Sequence, residues 1–403
     1  MKILYINSLY SPDILGGAEI SLKLIVEGMK ARGHEVVVLA LSPTQGLKSE
    51  QIDEVTVYRA ELKNSYWPYS KEKRNTLSKL TWHFKDQSNT QMADIVSAIL
   101  DREDPDIVSC HNLAGWSAAV WKPIAERGIP IVQVLHDLYL LCPNSNMFKD
   151  EESCEVQCLS CKVLRIRHAE LSSQVAAVVG ISNNILERFL SFGYFSNATK
   201  QVIYNTREIP LSSFPVTRKK NQAIRFGYLG TLSKVKGLEW LIEQFNLLNF
   251  EASLYIAGKG EKSYEKHLKE IAGDAQIKFV GYVDSNEFFK TIDALIVPSL
   301  WEEPLGMVAI EALAHHLPVI ASKRGGLQET VKDGVNGLYC YDQDPNSLGE
   351  AMQKLYDQPE LHHTFSQAAR DSVAPILDSD RLIEEYDLVL KNTLNDRVSK
   401  TKI

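Results

Sequence analysis

No apolar run in the chain approaches the roughly 18 residues that cross a bilayer as a helix, which excludes a membrane-spanning reading. The opening Met1-Lys2-Ile3-Leu4-Tyr5-Ile6-Asn7 reads as a β-strand too short to be a signal peptide, so a cytoplasmic protein is expected. Positive charge is also short: 44 Lys and Arg stand against 51 Asp and Glu, a net charge of -7. That balance supplies no general attraction to a phosphate backbone and argues against nucleic acid as a partner. The Gly-x-Gly-x-x-Gly fingerprint is missing from the first strand-to-helix turn, where Gly16-Gly17 stands instead, so no nicotinamide cofactor is expected. Cysteine is scarce, yet four of the six crowd between residues 142 and 161.

What is present points to a large α/β protein. At 403 residues, with 44% hydrophobic and 24% charged residues, the chain exceeds what one core usually supports. Strand-like runs at Ile3–Ile6, Glu35–Ala40, Val55–Tyr58, Ile107–Ser109, Ile131–Leu135 and Val175–Gly180 alternate with amphipathic stretches. One such stretch, Ala18–Arg32, has apolar residues at Ile20, Leu24 and Met29 and a glycine, Gly33, placed to end it. A Pro-, Ser- and Lys-rich segment over 206–222 reads as a linker. A second alternating series starts at Ile224 and runs to about 375, and residues from Ser379 onward read as a polar helix and tail. The expected division is therefore 1–205, a linker 206–222, a second domain 223–375 and a terminal helix over 376–403. Strand and helix alternating in both halves predicts parallel sheets in two doubly wound, Rossmann-like domains.

The stretch Glu303-Pro304-Leu305-Gly306-Met307-Val308-Ala309-Ile310-Glu311, followed by Arg324-Gly325-Gly326, holds two carboxylates eight residues apart across a loop and the start of a helix. Carboxylates accept hydrogen bonds from sugar hydroxyls, and an open helix N-terminus attracts phosphate. The apolar run Ala294-Leu295-Ile296-Val297 just upstream reads as a buried parallel strand. A buried strand, a Pro/Gly loop and a helix in succession give the crevice geometry of open α/β sheets. A nucleotide sugar carries both chemical parts that such a crevice would hold.

With these residues the sequence resembles the retaining family 4 glycosyltransferases, also called group 1, which have the GT-B architecture of two facing Rossmann-like domains with a cleft between them. The resemblance rests on an ordered set: Gly16-Gly17-Ala18-Glu19, His136-Asp137, Gly230 to Gly237, Gly258-Lys259-Gly260, Phe279-Val280-Gly281, the glutamate pair with Gly325-Gly326, and Asp333 to Gly337. It implies a C-terminal domain that binds a nucleoside-diphosphate sugar and an N-terminal domain that binds a glycan or lipid-linked acceptor. It also implies retention at the anomeric carbon with no cofactor required for catalysis, in the setting of cell-surface polysaccharide assembly. Two rivals share the fold: a sugar-nucleotide epimerase, which needs no acceptor, and a silent nucleotide-sugar-binding subunit that serves a partner.

Residue by residue, the resemblance places Lys236 on the donor diphosphate, where a cation also stabilises the departing charge. Glu311 falls on the ribose hydroxyls, and Glu303 with the amides of Leu305 and Gly306 on the sugar. His136 is placed against the donor sugar near the reacting carbon, and Gly16 and Gly17 over the phosphates. The arginine that the family carries five residues before the lysine is Thr231 here. Either Arg225 or Lys234 is then the expected substitute, or the donor phosphate is held less tightly. His111, ending the preceding strand, is a weaker candidate of the same kind as His136, and the adjacent His315 and His316 read as packing and surface.

Two further features stand beside these motifs, and the resemblance implies that some family members carry similar cysteines in the loop of the first. Cys142, Cys154, Cys158 and Cys161 have spacings that could hold a structural zinc, remain as free or partly oxidised thiols, or match the triplet of an iron–sulfur site. The segment Trp67 to Phe84, with Lys71, Lys73, Arg74, Lys79, Trp82 and His83, is basic and aromatic. It reads either as a peripheral contact with anionic membrane or lipid-linked acceptor, or as a mobile loop.

Overall fold

The computed structural model describes residues 1–70, 72, 74–209, 215, 217–273 and 276–400, the side chains of 397–400 excepted. Lys71 and Lys73 of the basic segment, and residues 210–214 and 216 of the expected linker, lie outside the described residues. The chain divides into two compact units, the first of Met1–Met147, Glu155–Asn205 and Asp380–Ile403, the second of Phe148–Cys154 and Thr206–Ser379.

In chain order the strands are β1 (Lys2–Asn7), β2 (Glu35–Ser42), β3 (Leu47–Ile52), β4 (Val55–Glu61), β5 (Ile107–Cys110), β6 (Ile131–Leu135), the short hairpin β7 (Phe148–Lys149) and β8 (Glu152–Ser153), β9 (Ala177–Gly180), β10 (Thr199–Val202), β11 (Ile224–Leu229), β12 (Ala252–Ala257), β13 (Ile277–Gly281), β14 (Ala294–Val297), β15 (Val319–Ser322) and β16 (Gly337–Cys340). The first unit's sheet runs β10-β9-β6-β5-β1-β2-β4-β3, parallel throughout except for β3, which pairs antiparallel with β4. The second unit's sheet is all parallel, in the order β13-β12-β11-β14-β15-β16. Both orders reverse direction once, between β1 and β5 and between β11 and β14. At such a switch point the two following loops part to opposite faces and leave a crevice beyond the strand C-termini.

Central strands form where the sequence offers short unbroken apolar runs. Ala294-Leu295-Ile296-Val297 and Ile131-Val132-Gln133-Val134-Leu135 are buried at every position, as strands covered by helices on both faces must be. The second core gathers Phe226, Leu254, Ile256, Ala294, Ile296 and Ile320 from the sheet with Leu238, Leu241 and Ile242 from a covering helix.

In the first unit the helix Ser379–Lys400 packs on the helix Gly17–Ala31. Gly28 lets the two approach so closely that a Cβ there would stand 2.3 Å from Ile383 Cδ1. Asp387, 7% exposed, accepts from His34 Nε2 at 2.9 Å, Arg32 at 3.3 Å and Lys391 at 2.7 Å, and Arg381 donates to the Tyr204 carbonyl at 2.8 Å. A second buried polar cluster lies beside the switch point. Asp86 accepts from Tyr139 Oη at 2.5 Å and from the Gly115 amide at 2.8 Å, and Arg165 lies 4.4 Å over the Tyr139 ring. Burial pushes the Asp86 carboxyl up to about 6, against the opposing pull of Arg165, Tyr139 and Gly115. Asp137 is likewise raised to about 6 by burial.

Substituting Gly28→Val should force the helix Ser379–Lys400 off its seat and cost about 1–3 kcal/mol of stability; a melting temperature equal to wild type would contradict the close packing. The buried carboxylates give a pH signature. Asp86 and Asp137 ionise near 3.8 when unfolded and near 6 when folded, so the native state holds more protons across that window and stability must fall as pH rises through it. Each group contributes on the order of 2–3 kcal/mol to that fall. Asp86→Asn should flatten the slope of stability against pH in denaturant titrations between those values, and an unchanged slope would remove Asp86 as its source.

Candidate active site

In the second unit the loops that follow β11 and β14 carry Lys236 and Glu303 to the switch point. They meet because the loops pack backbone against backbone. Gly237 sits at φ 69° with the Pro298 carbonyl so near that a Cβ would lie 1.9 Å from its oxygen. Gly325, at φ 53°, is held as closely by the backbone of Glu303, and the Gly326 amide donates to the Glu303 carbonyl at 2.7 Å. Any side chain at either position would force the loops apart.

The result is a buried ion pair. Lys236 Nζ lies 2.6 Å from Glu303 Oε1, Ser299 Oγ donates to the same oxygen at 2.6 Å, and the lysine stands 5.1 Å over the Trp301 ring. The neighbouring Glu302 points elsewhere and fixes the tight turn, accepting from Arg324 at 3.2 Å and from the Gly325 amide at 2.5 Å. Gly306, at φ 81°, caps the helix Met307–Ala314, whose first amides point out of the helix start as donors without intrahelical partners. Glu311 lies on that helix, one-fifth exposed, 3.7 Å from the Arg207 guanidinium. Burial raises its carboxyl above the ordinary range, and the arginine charge opposes that.

Lys236, Glu303, Leu305, Gly306 and Glu311 therefore share one loop-and-helix constellation. Arg225 does not join it. It lies near the N-terminal end of β11, away from the crevice at the strand C-termini, and forks onto Asp293, at 2.7 and 3.1 Å, so its expected role as a substitute cation is corrected. Lys234 is engaged with Glu151 of the β7–β8 hairpin at 3.1 Å and exposed. Arg207, read from sequence as linker, is the cation that the structure adds. Its signal was weak, because it stands next to a proline- and serine-rich stretch. His315 and His316 do not converge: one bonds back to the Glu311 carbonyl at 2.8 Å, the other to the Ser366 carbonyl at 3.1 Å.

In the first unit, Gly16 is the extended N-cap of the helix Gly17–Ala31, and its amide donates to Glu19 at 2.8 Å. His136 follows β6 and stacks on His111, ring centroids 5.2 Å apart, with His136 Nε2 2.9 Å from His111 Nδ1. His111 Nε2 in turn lies 3.1 Å from Ser109 Oγ, and burial together with the His136 ring holds the His111 imidazole neutral, well below its usual pKa. With the His111 ring neutral, one of its nitrogens donates and the other accepts, so its roles toward Ser109 and His136 are coupled. His111, secondary in the sequence reading, thus fixes the ring plane of His136.

All six cysteines are free thiols, the state that the sequence reading held beside a zinc or iron–sulfur site. The Cys161 thiol hydrogen-bonds to Cys142, whose thiol is pulled down to about 6 by that bond and by the amides of Asn144, Met147 and Asn146. Cys158, 3.1 Å from Ser160 Oγ, completes a chain through Cys161. Cys154 belongs to the second unit's segment. Among the described residues no group of three or more His, Cys, Asp or Glu side chains is placed to hold a metal ion. Among the described residues the thiols of Cys142, Cys158 and Cys161 form a hydrogen-bond chain.

The chain is similar to known proteins over nearly its whole length. Residues 212–372 match the family model for glycosyl transferases group 1, and residues 15–207 match glycosyltransferase family 4. A protein of the cps region of Klebsiella pneumoniae is 30% identical over 392 residues, 97% of this chain and 100% of that protein. Glycogen synthase of Mycobacterium tuberculosis is 25% identical over 395 residues, covering 94% and 91%. Among solved structures, sucrose-phosphate synthase from Thermosynechococcus elongatus superposes with a TM-score of 0.76 at 20% identity, over 98% of this chain and 99% of that one. HepE of Anabaena in complex with UDP and glucose gives 0.71 at 20% identity, over 97% and 100%. Those likenesses establish the fold as GT-B, with two Rossmann-like domains. Matched by family models along both halves and by a relative at 30% identity over nearly its whole length, this chain belongs to the group 1 glycosyltransferases.

Proposed function

We propose that the chain transfers a sugar from a nucleoside-diphosphate sugar to a glycan or lipid-linked acceptor, with retention at the anomeric carbon, in the cytoplasmic stage of cell-surface polysaccharide assembly. The observation that carries this reading is the Lys236–Glu303 pair at the switch point of the second unit, 2.6 Å apart and bounded by the head of the helix Met307–Ala314. Lys236 takes the diphosphate, Glu311 the ribose hydroxyls, and Glu303 with the amides of Leu305 and Gly306 the sugar. The first unit takes the acceptor, with His136 at the mouth of β6. Support for the donor class comes from the UDP and glucose bound to HepE, and for the setting from the cps-region relative.

Retention follows in this reading from attack on the same face as the departing phosphate, which accepts the acceptor's proton as the glycosidic bond breaks. Lys236 then stabilises the developing charge, and positioning and electrostatics supply most of the rate. A carboxylate in the role of Glu303 orients the sugar without forming a bond to it.

The first experiment is thermal denaturation with UDP, GDP, ADP and their common sugar conjugates. Ligand at about 100 times Kd adds roughly 2.7 kcal/mol to the folded state, so one base should raise the melting temperature by several degrees; silence from all of them would overturn the donor assignment. Glu303→Gln should leave donor affinity within a few-fold and lower turnover by about a hundredfold or more, and a turnover near wild type would take Glu303 out of the site. Lys236→Ala should weaken both donor and free nucleoside diphosphate about tenfold or more. Product anomeric configuration, read by NMR coupling constants, decides retention.

A further inference from the structure

The first unit carries an apolar face that the glycosyl-transfer reading leaves unused. On the helix Thr76–Gln87, Leu77, Leu80 and Phe84 fall on one stripe, and Phe84 is 66% exposed. The opposite stripe is what holds the helix down. Trp82 is buried, its indole N–H donating to the Tyr66 carbonyl at 3.1 Å, and Asp86 enters the buried cluster with Tyr139. Trp82 is thus an anchor of the helix and not, as its position in the basic segment suggested, a contact residue. The short helix Leu159–Leu164 lies alongside and adds Leu159, 78% exposed, and Val163, with Ile166 following. Gln87 joins the two helices through a bond to the Val163 carbonyl at 3.0 Å. Between them runs a groove of about 540 Å³ lined by Leu80, Phe84, Leu159 and Val163, with Lys85 at its rim.

Six large apolar side chains exposed together form a patch larger than the scattered apolar residues normal on a soluble surface. The charge around them is of one sign. From Asn75 to Lys85 and from Leu159 to Arg167 the chain carries Lys79, Lys85, Lys162, Arg165 and Arg167 and no carboxylate, in a protein whose net charge is -7. Of these, Arg165 is buried and Arg167 is paired with Glu170, which leaves Lys79, Lys85 and Lys162 exposed, with Lys85 lining the groove and Lys162 on a helix that flanks it. A second copy of the chain is a poor occupant, because a two-fold contact sets each patch against itself and would face Lys85 and Lys162 with their own copies. An apolar layer beneath a sheet of negative charge fits both features at once: the side chains enter the acyl boundary and the lysines stay with the headgroups. Among the described residues no helix is long and apolar enough to cross a membrane, so the contact is peripheral.

We infer that this face, built from the helices Thr76–Gln87 and Leu159–Leu164, docks the protein on the surface of an anionic lipid bilayer. The inference stands on the first unit alone and is independent of the donor assignment. It is tested by sedimenting the purified full chain with vesicles of one part phosphatidylglycerol to two parts phosphatidylcholine, and with vesicles of phosphatidylcholine alone. Binding is expected to the anionic vesicles, weakening with added salt. Phe84→Ser combined with Leu159→Ser, and separately Lys85→Glu combined with Lys162→Glu, should each reduce it about tenfold or more. Melting temperatures check that both variants fold; should the serine pair unfold, the charge-reversed pair decides. No binding above the phosphatidylcholine level, or binding that both variants leave intact, overturns the inference. So does concentration-dependent self-association in sedimentation velocity that the serine pair abolishes. Nucleotide-dependent melting shifts in the same variants should match wild type, which separates a failed docking surface from a failed donor site.

Discussion

Glu303 has 8% of its side chain exposed, and a carboxylate so enclosed is tolerated only when it is paired and its lone pairs are satisfied. That requirement organises the crevice of the second unit. Ser299 reaches one oxygen of Glu303 from within the same loop, but Lys236 must reach that oxygen from the loop after β11, and it does so only if the two loops touch. Glycine at 237 and 325 permits that contact, and Glu302 with Arg324 holds the second turn in place. Loss of Lys236 would strand a buried carboxylate at a cost of several kcal/mol. The local backbone and the ion pair are thus two views of one constraint.

Under the proposed function the same pair couples the two ends of the donor. A diphosphate that draws Lys236 toward itself removes half of what satisfies Glu303. Sugar hydroxyls can replace it, because a carboxylate accepts from hydroxyls as readily as from an ammonium. A nucleoside diphosphate alone supplies the first change without the second. Discrimination for intact donor over its product would then arise from electrostatics already present in the empty crevice, and release of the spent nucleotide would be favoured by re-forming the 2.6 Å pair.

The sequence was legible where burial leaves a pattern. Four consecutive apolar residues at Ala294–Val297 announce a covered strand, and the carboxylates that follow inherit their place from it. β3 left no such mark: Leu47-Lys48-Ser49-Glu50-Gln51-Ile52 lies at the sheet edge with nearly every residue exposed, so its pairing with β4 owes nothing to an apolar face. Arg225 was misplaced for a geometric reason. It is only eleven positions before Lys236, but an extended strand rises about 3.3 Å per residue, which carries it to the N-terminal end of the strand and onto Asp293. Arg207 was hidden by its neighbours, since prolines and serines read as linker whatever the buried residue beside them does. Cysteine spacing likewise named candidate ligands without fixing where an irregular loop sends them.

The two switch points are closed by different forces, and the difference bears on what each can do. In the first unit the loops after β1 and β5 are tied by neutral bonds: the Asn112 amide donates to Asn7 Oδ1 at 2.8 Å, Ser8 Oγ donates to the carbonyls of Asn112 and Ala114 at 3.0 and 2.8 Å, and the Trp116 indole donates to the Asn7 carbonyl at 2.8 Å. The His111–His136 stack rests on that frame, with burial and the His136 ring holding the His111 imidazole neutral. Nothing in it must be broken for a ligand to approach, and bonds among neutral groups change little with salt. In the second unit closure depends on a charge pair that an anion can compete for. The first crevice is therefore a fixed surface, suited to holding a group in register, and the second is an electrostatic one whose internal balance shifts when phosphate arrives. A transferase needs both properties, since one substrate must be positioned while the other has its leaving group's charge stabilised.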